Sequence, residues 1–92
     1  MYHAEHTAEL LNNAAEERGV DVYIKWDGDD EYTSFCVFYE EEETPYTIDD
    51  RGTYFEINYC KPGTRTYLSE WYGAGTDDVV EALVGILRER DA

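Results

Sequence analysis

The sequence predicts one α+β domain spanning residues 1–92: a helix, a five-stranded antiparallel meander and a second helix, in two layers with both helices on one face of the sheet. Three observations carry that expectation. Apolar spacing changes from helical to alternating at Gly19, five strand-like segments follow with short turns between them, and helical spacing returns after Gly73. Short connections favour pairing of chain neighbours, and amphipathic helices bury their stripes against the apolar face of a sheet.

Residues 3–18 read as the first helix, because Ala4, Ala8, Leu11 and Ala15 recur at helical spacing and Leu10 and Ala14 widen the stripe. Gly19 is placed to stop it. Val20, Val22, Ile24 and Trp26 then alternate with Asp21, Tyr23 and Lys25, as in a strand with one buried face. Residues 27–31 are a turn. Residues 32–39 form a second strand whose run from Phe35 to Tyr39 is apolar on both sides, as in a central strand. Four glutamates at residues 40–43, then Pro45, break it, leaving a short third strand at residues 46–48.

A turn over residues 49–52 leads to a fourth strand, residues 53–60, with Phe55, Ile57 and Tyr59 on one side. Pro62 and Gly63 suit a type II turn before a fifth strand at residues 65–71. Thr76 caps the last helix, whose first turn holds Asp77 and Asp78 and whose end holds Arg88 and Arg90, each sign where the helix dipole favours it. Val79, Val80, Leu83 and Leu87 form its inward stripe.

Nine Tyr, three Phe and two Trp give a chain of 92 residues enough bulk for a core, despite 22 carboxylates against seven cations. The net charge of −15 argues against direct nucleic-acid binding, which depends on Lys and Arg neutralising phosphates. It argues equally against an anionic membrane surface. No basic and apolar leader opens the sequence and no apolar run reaches membrane-span length, so the expected location is the cytoplasm. Only two cysteines are present, Cys36 and Cys60. In a meander they lie on the second and fourth strands, roughly 9–10 Å apart at the spacing of sheet neighbours, too far for a disulfide. Two thiols are expected.

A meander sorts the loops between two ends of the sheet. One end is expected to collect Asp27, Asp29, Asp30, Glu31, Asp49, Asp50, Asp77 and Asp78, opposed in those segments by Arg51 alone. The other receives Glu16, Glu17 and the glutamates of residues 40–43, together with Arg18, Lys61, Arg65, Arg88 and Arg90. An acidic pole of this kind steers a basic partner towards itself. The competing explanation is turn chemistry, since Asp and Gly suit turns. On the sheet face away from the helices, strand alternation places Tyr23, Lys25, Tyr54, Glu56, Asn58, Tyr67 and Trp71. Aromatic anchors with a polar rim are the make-up of protein-binding surfaces; a sheet-to-sheet homodimer or plain strand propensity accounts for the same pattern.

Catalytic signals are missing from the sequence. No phosphate loop, nucleophile elbow or Ser/His/Asp arrangement occurs, and acids in turns offer no pocket to shift a carboxyl pKa. Asp27, Asp29 and Glu31 have the alternate spacing of a calcium loop, but Gly stands second rather than sixth and Phe38 occupies the twelfth position. His3 and His6 share a helical face without an evident third zinc ligand. No cofactor and no specific metal is expected.

The expected function is therefore that of a small acidic, non-enzymatic protein engaging a basic protein surface, such as that of a nucleic-acid-binding protein. In size and charge the chain is similar to the nucleic-acid-mimicking anti-restriction and anti-CRISPR proteins, a likeness of composition alone. The alternative is a halophile-adapted domain whose acidity keeps it hydrated in a salt-rich cytoplasm. A small-ligand or metal-binding module is the third reading.

Overall fold

The computed structural model describes residues 3–26 and 33–91. Its elements are α1 (His3–Glu17), β1 (Val22–Trp26), β2 (Thr33–Tyr39), β3 (Glu42–Asp50), β4 (Phe55–Cys60), β5 (Tyr67–Gly73) and α2 (Thr76–Asp91). The strands form one sheet in chain order, β1-β2-β3-β4-β5, and every neighbouring pair is antiparallel. The α+β meander expected from the alternating segments is the observed architecture. β3 separates the strands that carry Cys36 and Cys60, and no disulfide joins them.

α1 ends where its backbone must turn left-handed. Gly19 has φ +66, its N–H donates to the Glu16 carbonyl at 3.0 Å, and the Val20 N–H donates to the Ala15 carbonyl at 3.3 Å. This pair of bonds satisfies carbonyls the helix would otherwise leave open. α1 then lies against β1, and the Asn12 amide meets the outer edge of that strand: Nδ2 donates to the Ile24 carbonyl and Oδ1 accepts from the Ile24 N–H, both at 2.8 Å.

Alternation decides which side of the sheet is dry. Phe35, Ile48 and Ile57 stand opposite one another across β2, β3 and β4, and all three are fully buried. Ile24 and Val37 form a second buried pair. They join Leu11, Ala14 and Ala15 from α1 and Val79, Val80, Leu83, Val84 and Leu87 from α2 in one apolar cluster. Each large aliphatic side chain removed from water there contributes roughly 1.5–3 kcal/mol before entropy is counted.

Two strands depart from the expectation. β3 is nine residues long rather than a stub over residues 46–48. Glu40 and Glu41 make the chain reverse within two residues, at φ 51 and 70, so that Glu42 pairs directly with Tyr39. Turns of this kind ordinarily use Asn or Gly, and the four glutamates hide it. Pro45 is accommodated because the register slips between Cys36 and Phe38, leaving Thr44, Pro45 and Tyr46 opposite Val37. The Thr44 hydroxyl donates to the Val37 carbonyl at 2.9 Å and so replaces part of the lost ladder.

The second departure is in β5. Ile57 pairs with Trp71 while Asn58 pairs with Ser69, so Glu70 is an extra residue. A bulge of this kind reverses the facing of everything beyond it.

Candidate functional site

The sheet face opposite the core carries the outward half of each strand. Tyr23 and Lys25 come from β1, Phe38 and Cys36 from β2, Thr47 and Asp49 from β3, Glu56 and Asn58 from β4, and Tyr67 and Tyr72 from β5. Both helices contribute their buried residues to the cluster on the other side. Among the described residues, then, this face is the open one. Tyr23 is 56% exposed, Tyr67 57% and Tyr72 74%. Tyr23 packs its ring against Phe38 with centroids 6.0 Å apart, and Phe38 is part-buried.

Of the aromatic residues expected here, Tyr23, Tyr54 and Tyr67 are exposed, and Trp71 is not among them. The bulge at Glu70 turns Trp71 towards the core beside Ile57 and turns Tyr72 outward beside Glu56. Tyr72 is the residue missed by strict alternation. Trp71 settles over Gly73, where an added Cβ would come within 2.7 Å of two indole carbons. The glycine is thus the only local trace in the sequence of the turned indole.

Half of the expected acidic pole, Asp27, Asp29, Asp30 and Glu31, lies outside the described residues, and with it the calcium-like spacing. The other half is tied into the fold. Asp49 accepts a hydrogen bond from Asn58 Nδ2, which lets the amide of Asn58 lie buried, and stands 3.9 Å from the Arg51 guanidinium. Asp50 Oδ1 accepts the Gly52 N–H at 2.8 Å, shaping the turn between β3 and β4. Arg51 donates from Nε to Glu56 at 2.8 Å, and this bond, ahead of the nearby negative charges, holds its pKa above the ordinary value.

Asp77 and Asp78 sit in the first turn of α2. Arg18 reaches Asp77 from the end of α1: its guanidinium is 3.6 Å from the carboxylate and donates to the Asp77 carbonyl at 3.1 Å. Sorting charges by sheet end alone placed these two residues apart, and the packing of α1 against α2 brings them together. Asp78 turns back over Gly75, with Oδ2 3.2 Å from where a Cβ of that glycine would lie. The two surface charges of Arg18 and Asp77 contribute roughly 0–1 kcal/mol.

A second cluster lies at the C-terminal end of α2. The Arg90 guanidinium stands 5.4 Å from the centre of the Tyr59 ring and 6.0 Å from that of Tyr46, and it donates to Glu70 at 3.1 Å. Tyr46 is buried, and its hydroxyl meets no hydrogen-bond partner among the described residues. Burial pushes its phenol pKa up, with Arg90 opposing the shift. On the open face the Tyr67 phenol is also raised, chiefly by a hydrogen bond with Cys60.

His6 is exposed on α1, and the side chain of His3 lies outside the described set. Among the described residues no three His, Cys, Asp or Glu side chains gather as a metal site, and no helix is long and apolar enough to cross a membrane. What the arrangement offers chemically is a broad polar face studded with tyrosines, in a chain of charge −15. In comparisons with family models, curated proteins and solved structures, nothing matches the chain.

Proposed function

We propose that this is a small, non-enzymatic, intracellular binding protein whose open sheet face engages a basic surface of a protein partner. One observation carries the reading: four exposed tyrosines, Tyr23, Tyr54, Tyr67 and Tyr72, share with Asp49 and Glu56 the sheet face that the helices leave open, in a chain whose net charge is −15. Tyrosine supplies large contact area at small entropic cost, and a negative field speeds encounter with a positive patch. A groove that normally holds DNA or RNA is the basic surface such a face would occupy, making the protein an inhibitor that mimics nucleic acid. Cys36 and Cys60, both thiols, accord with a reducing compartment.

The experiment is affinity capture from lysate on immobilised protein at about 0.15 M salt, followed by competition with duplex DNA. Basic, nucleic-acid-binding proteins should be retained, be displaced by DNA, and elute as the ionic strength rises towards about 1 M, where the screening length shrinks to about 3 Å. Retention of no basic protein ends the reading. Self-association through the same face, seen as a dimer in sedimentation, would replace it.

A second reading is supported by acids far from that face. Glu5, Glu9, Glu16 and Glu17 on α1 and Glu81 and Glu89 on α2 are all exposed. Charge spread over every side suits hydration in a salt-rich cytoplasm. Under that reading the protein unfolds as salt is withdrawn below about 0.15 M, where repulsion is unscreened over about 8 Å or more.

A further inference from the structure

We propose that the corner formed by Tyr54, Tyr72 and Glu56 takes an alkylammonium group, the end of a lysine side chain on the basic partner. The occupant follows from the function proposed above; the geometry of the corner stands independently of it.

The rings of Tyr54 and Tyr72 meet at 74° with centroids 6.4 Å apart. With Glu56 they line a concavity of about 430 Å³ beside the outer strand of the open face. A ring presents the negative part of its quadrupole on its face, and a cation within roughly 6 Å of the centroid is attracted to it. Two rings set at a steep angle let one cation lie against both. The register fixes this arrangement, because Tyr72 stands directly opposite Glu56 only through the bulge that carries Trp71 away.

Charge decides among possible guests. Arg51 anchors Glu56 through Oε1 and is itself shared with Asp49 3.9 Å away, so two carboxylates face one guanidinium and the group retains a negative charge. A carboxylate has lone pairs for more than one donor. A second guanidinium would seek a bidentate contact, and Arg51 already occupies that carboxylate. A compact ammonium needs only one oxygen and the aromatic walls. Full methylation of the guest removes its N–H donors but keeps its charge and enlarges its contact with the rings, so the trimethylated form exchanges the hydrogen bond to Glu56 for aromatic contact.

The test is a titration of the isotopically labelled full chain, followed by amide NMR, with three short peptides alike except for lysine, trimethyl-lysine or alanine at the centre. The two lysine peptides should produce saturable shifts at Tyr54, Glu56, Tyr72 and Gly73, and the alanine peptide should not. Tyr72→Ala should weaken binding about tenfold, whereas Tyr72→Phe, which keeps the ring, should hold it within about twofold. Circular dichroism checks that each variant is folded, and Tyr54→Ala serves if Tyr72→Ala is not.

Absence of saturable shifts at those amides up to millimolar peptide overturns the proposal. An unchanged affinity in folded Tyr72→Ala does so equally. Shifts confined to the surroundings of Tyr23 and Tyr67 refute the corner while leaving the basic partner in place. Shifts at the corner without any basic protein in the capture experiment support the corner and defeat the wider function.

Discussion

The side-chain amide of Asn12 imitates a neighbouring strand for Ile24, giving one hydrogen bond and taking one, each 2.8 Å long. β1 is an outer strand, and a bare outer strand is a template for pairing with other chains. Asn12→Leu removes both bonds and leaves the amide and carbonyl of Ile24 facing an apolar side chain. We expect a loss of about 2–3 kcal/mol in urea unfolding and a rise in high-molecular-weight material on size-exclusion chromatography. An unchanged midpoint would mean that water replaces the amide at no cost.

Glu40 and Glu41 hold a left-handed backbone that suits neither. Replacing them by Asn and Gly relieves the strain at a turn that requires it. The double variant should gain about 1 kcal/mol, read as a higher urea midpoint with unchanged slope. Like-charge crowding among the glutamates of residues 40–43 adds to the gain at low salt.

Gly73 has no room for a methyl group, since the Trp71 indole fills the space. Gly73→Ala should cost about 1–3 kcal/mol and shift the emission of Trp71 as its ring leaves the core. The change should also disturb Tyr72, so binding to lysine peptides falls together with stability.

Tyr46 offers a test in pH. Its phenol is raised by burial, so the fold favours the neutral form. That contribution is complete below the unfolded value of about 10 and disappears as pH climbs through the folded value. Stability should therefore fall in alkali, and Tyr46→Phe should flatten the fall. At neutral pH the same change removes a buried hydroxyl that meets no partner among the described residues, so it should leave stability unchanged or raise it by about 1 kcal/mol. A loss of more than that would show that the hydroxyl is bonded in solution.

The helices and the order of the strands were legible because they depend on local period and short connections. Gly19 stops α1 where the residue type says it must. The two strands that depart from their period contain what periodicity cannot register: extra residues, one in β5 and two in β3. Glu70 looks like any strand glutamate, yet the pairing of Ile57 with Trp71 makes it a bulge, and one slipped position exchanges Trp71 for Tyr72 on the open face. Pro45 looks like a breaker and is absorbed by a slip of register opposite Val37. In both places the decisive partner lies on another strand, out of reach of a single-segment reading. Arg18 and Asp77 were separated by the same limit, since helix packing and not loop order sets their meeting.

Because each strand bonds only to its chain neighbours, the sheet can assemble by successive hairpins, with little entropy lost in closing each short loop. The last element in chain order is α2, whose Val79, Val80, Leu83 and Leu87 complete the apolar cluster that α1 and the sheet begin, and whose Asp77 meets Arg18 across 59 positions of sequence. Until that helix has left the ribosome, the nascent sheet shows a greasy surface to the cell. Synthesis that pauses before Thr76 would therefore give a product dependent on chaperones.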